Sequence, residues 1–136
     1  METAHHARVR WEPTEEDARS HAIELAGQTL SASSAVEFGG NADRADPEEM
    51  FVASLSSCHM LWFLGLARAM RAGVTAYEDE AEGTLDGTRI IRVVLRPRVS
   101  FDGEVDRGTI ESLHHRAHER CFISNSVSCP VEIEPQ

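Results

Sequence analysis

Short segments near both ends of the chain alternate between apolar and polar residues or are rich in β-branched residues, as strands are. They are residues 4–11, 19–26, 28–36, 77–85, 89–101 and 131–133. Ala26-Gly27-Gln28 and Asp86-Gly87 separate neighbouring segments with the residue types of tight turns. The pattern therefore predicts one hairpin before and one hairpin after a helical middle section.

The middle of the chain has the pattern of one long helix over residues 47–72. The segment Asp46-Pro47-Glu48-Glu49 supplies an N-cap residue, a proline suited to the first turn and two carboxylates near the positive end of the helix dipole. No further proline follows before Gly73, a suitable residue to end a helix. The part from Met60 to Leu66 is apolar on almost every side, so it needs cover from a sheet or from a second subunit.

A second helix is predicted from about Asp106 to Cys121. Its apolar residues recur at helical spacing, as Ile110, Leu113, Ala117 and Cys121. Strands, a long helix, strands, a shorter helix and a last strand make an α+β fold. No repeat or long linker interrupts the sequence, so a single domain over residues 1–136 is expected.

The charge balance argues against several classes of partner. The chain carries 13 Lys and Arg residues against 23 Asp and Glu residues, a formal net charge of -10. Nucleic acids and anionic membranes are bound through basic surfaces, so neither is an expected partner. The most apolar stretch, Met50 to Ala69, contains serines, His59 and Arg68 and is not predicted to span a membrane. No apolar signal segment is visible near the N-terminus, so a cytoplasmic location is expected.

Three cysteines, Cys58, Cys121 and Cys129, pose the main chemical question. An odd number without a Cys-x-x-C pair predicts neither a disulfide scaffold nor a zinc ribbon. Cys58 lies in the middle of the long helix and Cys121 closes the apolar stripe of the second, so both point inward and could lie within disulfide reach. They are either ordinary core residues or a reactive pair, and the pattern leaves both open. Cys129 is expected to be buried at the entry to the last strand.

A thiolate in apolar surroundings needs a nearby cation. Glu48 is placed to orient an arginine that arrives from a loop, and Arg19 and Arg44 are the arginines that precede the helix. Helix capping alone is an equally good interpretation of Glu48.

Histidines raise the possibility of a metal site. His114 and His118 are four residues apart, a spacing that can bind zinc. Together with Glu111 and His115 they form the polar side of the second helix, so a solvated face is expected instead. His59 points about 100° away from Cys58 on the same helix and is expected in the core or an interface.

Two segments resemble a known family. The segment Asp46–Met60, with Cys58 ten residues after Glu48, resembles the signature helix of the OsmC/organic hydroperoxide resistance superfamily. The segment Ala117–Ser126, around Cys121, resembles the second cysteine site of that superfamily. Glu37-Phe38-Gly39-Gly40 is similar to the loop before its long helix, and the likeness extends over residues 8–134.

The resemblance implies roles for individual residues. It makes Cys58 the peroxidatic thiol, Cys121 the resolving thiol and Glu48 the carboxylate that holds a catalytic arginine. Arg19 is the positional match for that arginine, and Arg44 is the alternative. The resemblance also implies an OsmC-like fold in which antiparallel sheets pack around a long central helix in an intertwined homodimer.

The activity implied by the resemblance is that of a thiol-dependent peroxidase that protects against oxidative stress by reducing alkyl or lipid hydroperoxides. No metal or organic cofactor is expected, and an external dithiol, lipoyl-type by resemblance, would regenerate the thiols. One alternative is a thiol hydrolase that uses Cys58. Another is a non-catalytic binding or structural dimer with core cysteines, and metal binding by His114 and His118 is a third.

Overall fold

The computed structural model describes residues 1–13 and 17–136. These residues form two compact units, Met1–Met50 and Phe51–Gln136. One helix, α1 (Pro47–Ala69), begins in the first unit and continues into the second. The single domain over residues 1–136 stays a prediction.

The first unit contains an antiparallel sheet in the order β1 (Arg8–Arg10), β2 (His21–Leu25) and β3 (Gln28–Ala32). Ala26 and Gly27 join β2 to β3 with φ angles of 51° and 77°, the left-handed backbone that tight hairpins use. The predicted hairpin turn is therefore confirmed. The strands are shorter than predicted, and a 3-10 turn at Val36–Phe38 occupies the end of the predicted third strand.

The second unit contains two sheets. One pairs β4 (Val74–Asp79) with β7 (Pro97–Phe101), and the other has the order β5 (Glu82–Asp86), β6 (Arg89–Leu95) and β8 (Val131–Ile133). A helix, α2 (Arg107–Arg120), lies between β7 and β8 along the chain. Strands β6 and β8 are parallel, so the expectation of purely antiparallel sheets was wrong for this pair. A parallel neighbour needs a crossover connection, and the chain between β6 and β8 contains α2.

The long strands predicted over residues 77–85 and 89–101 were also wrong, because each is two strands. The second break falls at Arg96 and Pro97, where the proline ring removes a backbone donor. The N–H of Arg96 instead donates to Oδ1 of Asp79 at 2.6 Å. The other carboxylate oxygen of Asp79 accepts from the Ser56 hydroxyl at 2.5 Å, which ties this break to α1.

Helix α1 begins as predicted. The Glu49 N–H donates to Oδ1 of Asp46 at 2.7 Å, and the Asp46 N–H donates to Oε1 of Glu49 at 3.0 Å, which makes a capping box. The predicted end at residue 72 was wrong, because the helix stops at Ala69.

Arg71, and not Gly73, takes the left-handed position that ends α1, with a φ of 60°. The Ala72 N–H donates to the Ala67 carbonyl and the Arg71 N–H donates to the Arg68 carbonyl, as in a Schellman motif. A residue with a Cβ atom is strained in this conformation, which is why the sequence pointed to the glycine.

The buried side of α1 is a single stripe with one member every four residues, Leu55, His59, Phe63 and Ala67. Leu55 packs with Val93, Leu95 and Cys129, whereas Phe63 and Ala67 pack with Leu113 and Ala117 of α2. Cys129 is therefore buried ahead of the last strand, as expected.

Helix α1 also comes very close to β5. A Cβ atom on Gly83 would lie 2.6 Å from Val52, so only glycine fits at this point of the sheet.

The opposite face of α1 is not covered within the described chain. Leu61 remains 63% exposed, so the described part of one chain does not surround the apolar middle of α1 on every side, as was predicted to be necessary. By length and composition α1 could also cross a membrane, with a mean hydropathy of 1.6 over its best window. The serines, His59 and Arg68 therefore do not exclude a membrane span on composition alone.

Candidate functional site

The Cys58 and Cys121 side chains are close neighbours, since Cys58 is one of the groups that raise the pKa of the Cys121 thiol. Cys58 lies in the middle of α1, and Cys121 caps the C-terminal end of α2. All three cysteines are free thiols. The structure therefore brings together the two cysteines that the sequence singled out, in the reduced state.

The two thiols have different surroundings. Cys58 is half-buried, whereas Cys121 is 0% exposed. Burial raises the pKa of the Cys121 thiol, and the nearby Cys58 thiol raises it further, while the Ser124 N–H, 3.3 Å from Sγ, opposes both. Cys121 is therefore held as a protonated thiol beside the more accessible Cys58.

An aromatic surface lies beside this pair of thiols. Trp62 is one helical turn beyond Cys58, and Phe122 directly follows Cys121. The two rings meet edge to face with their centroids 5.5 Å apart, and the Arg120 guanidinium lies 5.8 Å from the Trp62 ring. Phe122 is 69% exposed, so an apolar wall next to the thiols is open to solvent.

A second pair of side chains joins the same two helices. Nε2 of His59 on α1 lies 3.0 Å from Nδ1 of His114 on α2, and the planes of the two rings are parallel to within 5°. The exposed fractions of His59 and His114 are only 1% and 3%. The expectation of a core position is confirmed for His59, but the solvated position expected for His114 was wrong.

The reason for this error is the partner across the helix contact. A polar residue on a helix can be buried if a partner in the core satisfies its hydrogen bonds. His59 is such a partner for His114, because the two rings share a hydrogen bond inside the core. His118, one turn further, is half-buried, whereas Glu111 and His115 are exposed as expected. The signal available from the sequence was one histidine in the middle of each helix. The sequence prediction did not connect His59 with His114.

Both buried imidazoles are neutral at ordinary pH. Burial lowers the pKa of His59 to about 4, with further contributions from the nearby His114 and His118. Burial likewise lowers the pKa of His114 to about 4, and Asp79 partly opposes this shift. Burial, helped by Asp79, raises the pKa of the neighbouring Tyr77 hydroxyl.

Several polar atoms around this pair lack a hydrogen-bond partner within the described chain. They are Nδ1 of His59, Nε2 of His114, Nδ1 of His118 and the Tyr77 hydroxyl. These side chains do not assemble into a metal centre, because residues 1–13 and 17–136 contain no group of three or more His, Cys, Asp or Glu side chains that could hold a metal ion.

The remaining residues predicted for the site lie in the first unit. Arg44 donates from Nε to the Ala32 carbonyl at 2.9 Å and from Nη2 to the His21 carbonyl at 3.0 Å, so its guanidinium braces β2 and β3. Arg19 is exposed and Glu48 is half-buried. Neither arginine forms an ion pair with Glu48 in the part of the chain that is described, so the catalytic arginine stays a prediction.

Comparison with known proteins adds the family context. A family model described as OsmC-like protein matches residues 40–136. A curated relative, an uncharacterized protein of Methanocaldococcus jannaschii, is 24% identical over 98 residues, which are 69% of this chain and 50% of that protein. The chain thus spans about half the length of the curated relative that it matches.

Solved structures support the same fold. An OsmC-like protein of unknown function from Vibrio cholerae is 38% identical, with a TM-score of 0.92 over 99% of this chain and 100% of that one. An organic hydroperoxide resistance protein from Elizabethkingia anophelis has a TM-score of 0.73 over 99% of this chain and 96% of that one. Its sequence identity is 19%, so this second likeness concerns the α+β fold alone.

Proposed function

The chain belongs to the OsmC-like protein family, and on that premise we propose that it is a thiol-dependent peroxidase that reduces organic hydroperoxides. The observation that carries this proposal is the proximity of the Cys58 and Cys121 thiols. Two neighbouring thiols can become a disulfide with little movement, and their oxidation to a disulfide supplies the two electrons that reduction of one peroxide requires.

The proposed reaction has two steps. Cys58, as its thiolate, attacks one peroxide oxygen, the O–O bond breaks, and the alkoxide takes up a proton and leaves as the alcohol. Cys58 is then a sulfenic acid. The sulfur of Cys121 attacks the sulfur of Cys58, the S–O bond breaks and water leaves, so that the products are one alcohol, one water and the disulfide.

The different surroundings of the two thiols support this division of roles. The attacking thiol has to meet the peroxide, and Cys58 is the more accessible of the two. Cys121, with its raised pKa and complete burial, is protected from direct oxidation and lies where the sulfenic acid forms.

The aromatic wall supports an apolar substrate. Trp62 and Phe122 can pack against the alkyl or aryl part of a hydroperoxide while its O–O group faces Cys58. Hydrogen peroxide has no such part, so an alkyl or lipid hydroperoxide is the proposed substrate. The proposal includes an external dithiol of the lipoyl type as reductant and a cytoplasmic setting.

The proposal also includes a homodimer that covers the exposed face of α1. Leu61 lies in a groove of about 620 Å³ that continues along α1 to the turn after it, with the further lining residues Leu64, Gly65, Arg68, Arg71, Ala72, Gly73 and Val74. A second copy of the chain placed here would remove the exposed apolar face from water. Light scattering on the purified protein tests this, and a stable folded monomer at micromolar concentration would contradict it.

The peroxidase proposal is tested by one equivalent of cumene hydroperoxide added to the fully reduced protein. We expect rapid loss of two thiols and an intramolecular disulfide that peptide mapping assigns to Cys58 and Cys121. Cys129→Ala serves as the matched control, because Cys129 packs in the other core cluster and should not change the result. A protein that keeps all its thiols after this treatment, or a disulfide that involves Cys129, would contradict the proposal.

A further inference from the structure

The hydrogen-bonded imidazoles of His59 and His114 have no part in the two chemical steps. Their place in the chain is informative, because His59 directly follows Cys58 on α1 and His114 lies two turns before Cys121 on α2. The same two helices therefore carry two pairs of neighbouring side chains, one of thiols and one of imidazoles.

We propose that the hydrogen bond between His59 and His114 is a positioning device that fixes α1 against α2 and so holds the Cys58 and Cys121 thiols close together. The inference rests on the proposed function for its purpose, since the proximity of two thiols matters most if a disulfide forms there. His59 and His114 are positioning residues, because they act through the two cysteines and touch no substrate.

Apolar packing alone would not give the same alignment. Much of the packing between α1 and α2 comes from small or apolar residues, Phe63, Ala67, Leu113 and Ala117. Such contacts have little directionality, so one helix can shift against the other at small cost. A hydrogen bond of 3.0 Å between two buried rings is directional, and its loss would leave unpaired nitrogens in the core.

The bond requires that at least one imidazole is neutral, since only a neutral ring offers an acceptor nitrogen. Protonation of both rings would bring two N–H groups face to face. The charged or titratable groups nearby are His118 on α2 and Tyr77 and Asp79 on β4. Asp79 already accepts hydrogen bonds from Ser56 and Arg96, so its carboxylate is committed elsewhere.

The test compares two double variants of matched shape. His59→Gln with His114→Asn keeps an amide group close to each bonded nitrogen and so keeps the hydrogen bond. His59→Met with His114→Leu has nearly the same shapes without polar atoms. His115→Leu, at an exposed position on α2, is the control for changes in the composition of that helix.

The readout is the equilibrium between the reduced protein and the Cys58–Cys121 disulfide in buffers of reduced and oxidised glutathione, which gives the effective concentration of one thiol toward the other. We expect the Met and Leu variant to lower this effective concentration about tenfold or more, because a small misplacement of reacting groups has large effects. The Gln and Asn variant should restore it to within about twofold, and His115→Leu should leave it unchanged.

The inference is overturned if the Met and Leu variant keeps the effective concentration of the wild-type chain. It is equally overturned if the Gln and Asn variant loses as much as the apolar one. Should the apolar double variant fail to fold, His114→Leu compared with His114→Asn, at an unchanged His59, decides by the same criterion.

Glutathione supplies the oxidant in this experiment, so the result does not depend on peroxidase activity. A wild-type protein that ignores cumene hydroperoxide but shows the expected order of variants would contradict the proposed function and support the positioning role. A wild-type protein that reduces the peroxide while all variants have equal effective concentrations would support the proposed function and contradict the positioning role.

Discussion

The thiol pair and the imidazole pair both have one member on α1 and the other on α2 or at its end. They differ in almost every other respect. Cys58 and Cys121 are unequal, one half-buried and one completely buried. His59 and His114 are both buried, both neutral and held at one fixed distance. The proposed reaction requires that only one of the two thiols is accessible to the peroxide. The alignment of the two helices by a hydrogen bond requires instead that water is excluded from both imidazoles.

The largest expected effect separates the two members of the thiol pair. Cys58→Ser should abolish consumption of cumene hydroperoxide. Cys121→Ser should still allow one turnover, because the more accessible Cys58 thiol remains and only the partner that closes the disulfide is lost. Dimedone labelling followed by mass spectrometry should then place the trapped sulfenic acid on the peptide that contains Cys58.

This prediction has a clear contrary result. If Cys58→Ser still reduces the peroxide, or if the dimedone label appears on Cys129, the two thiols do not have the roles that their burial suggests. The cysteines would then be core residues, and the thiol pair would have no chemical role that distinguishes it from the imidazole pair.

The next effect concerns the imidazole pair and acid. The pKa of His114 lies near 4 in the folded chain against an ordinary value of 6.5, so the unfolded chain binds more protons between these pH values. The free energy of unfolding should therefore be fully retained above about pH 6.5 and fall as the pH drops toward 4, by about 3 kcal/mol for one such histidine.

Urea unfolding at several pH values measures this fall. His59→Gln with His114→Asn removes both titrating groups, so the difference between the two chains isolates their contribution from that of the carboxylates. Equal acid sensitivity in the two chains would show that the pair is not held neutral by burial.

The smallest effect concerns the open side of the thiol pair. Phe122→Ala should raise KM for cumene hydroperoxide by about fivefold to tenfold, since it removes an apolar wall, and should leave the rate with hydrogen peroxide nearly unchanged. Ile91→Ala, which truncates an exposed apolar residue on β6, should change neither rate. A loss that is equal for both peroxides would indicate that Phe122 supports the thiols and not the substrate.

The sequence predicted those features that depend on local pattern. The Asp46 cap, the hairpin turn at Ala26 and Gly27 and the order of helices and strands follow from residue types over a few positions. Helical spacing showed only that Cys58 and Cys121 point inward and could lie within disulfide reach, and it left open whether they are core residues or a reactive pair.

The features that were missed depend on distant partners. His114 belongs by type to a polar face, and it is buried because His59, 55 residues away in sequence, offers it a hydrogen bond. The break after β6 had a visible local signal in Pro97, but the carboxylate of Asp79 that takes over the Arg96 N–H could not be foreseen. Glycine at residue 73 suggested the end of α1, and the strained residue Arg71 provides it instead.

If a second copy of the chain covers the exposed apolar face of α1, as proposed above, the stability of the folded chain depends on its concentration. Anything that binds this face only in the folded state adds to the free energy of unfolding by mass action, and a second copy of the chain becomes scarcer on dilution. The thermal midpoint should therefore rise with protein concentration. A cell that makes more of the protein would then have more copies of the thiol site, and a larger fraction of the chains would be folded.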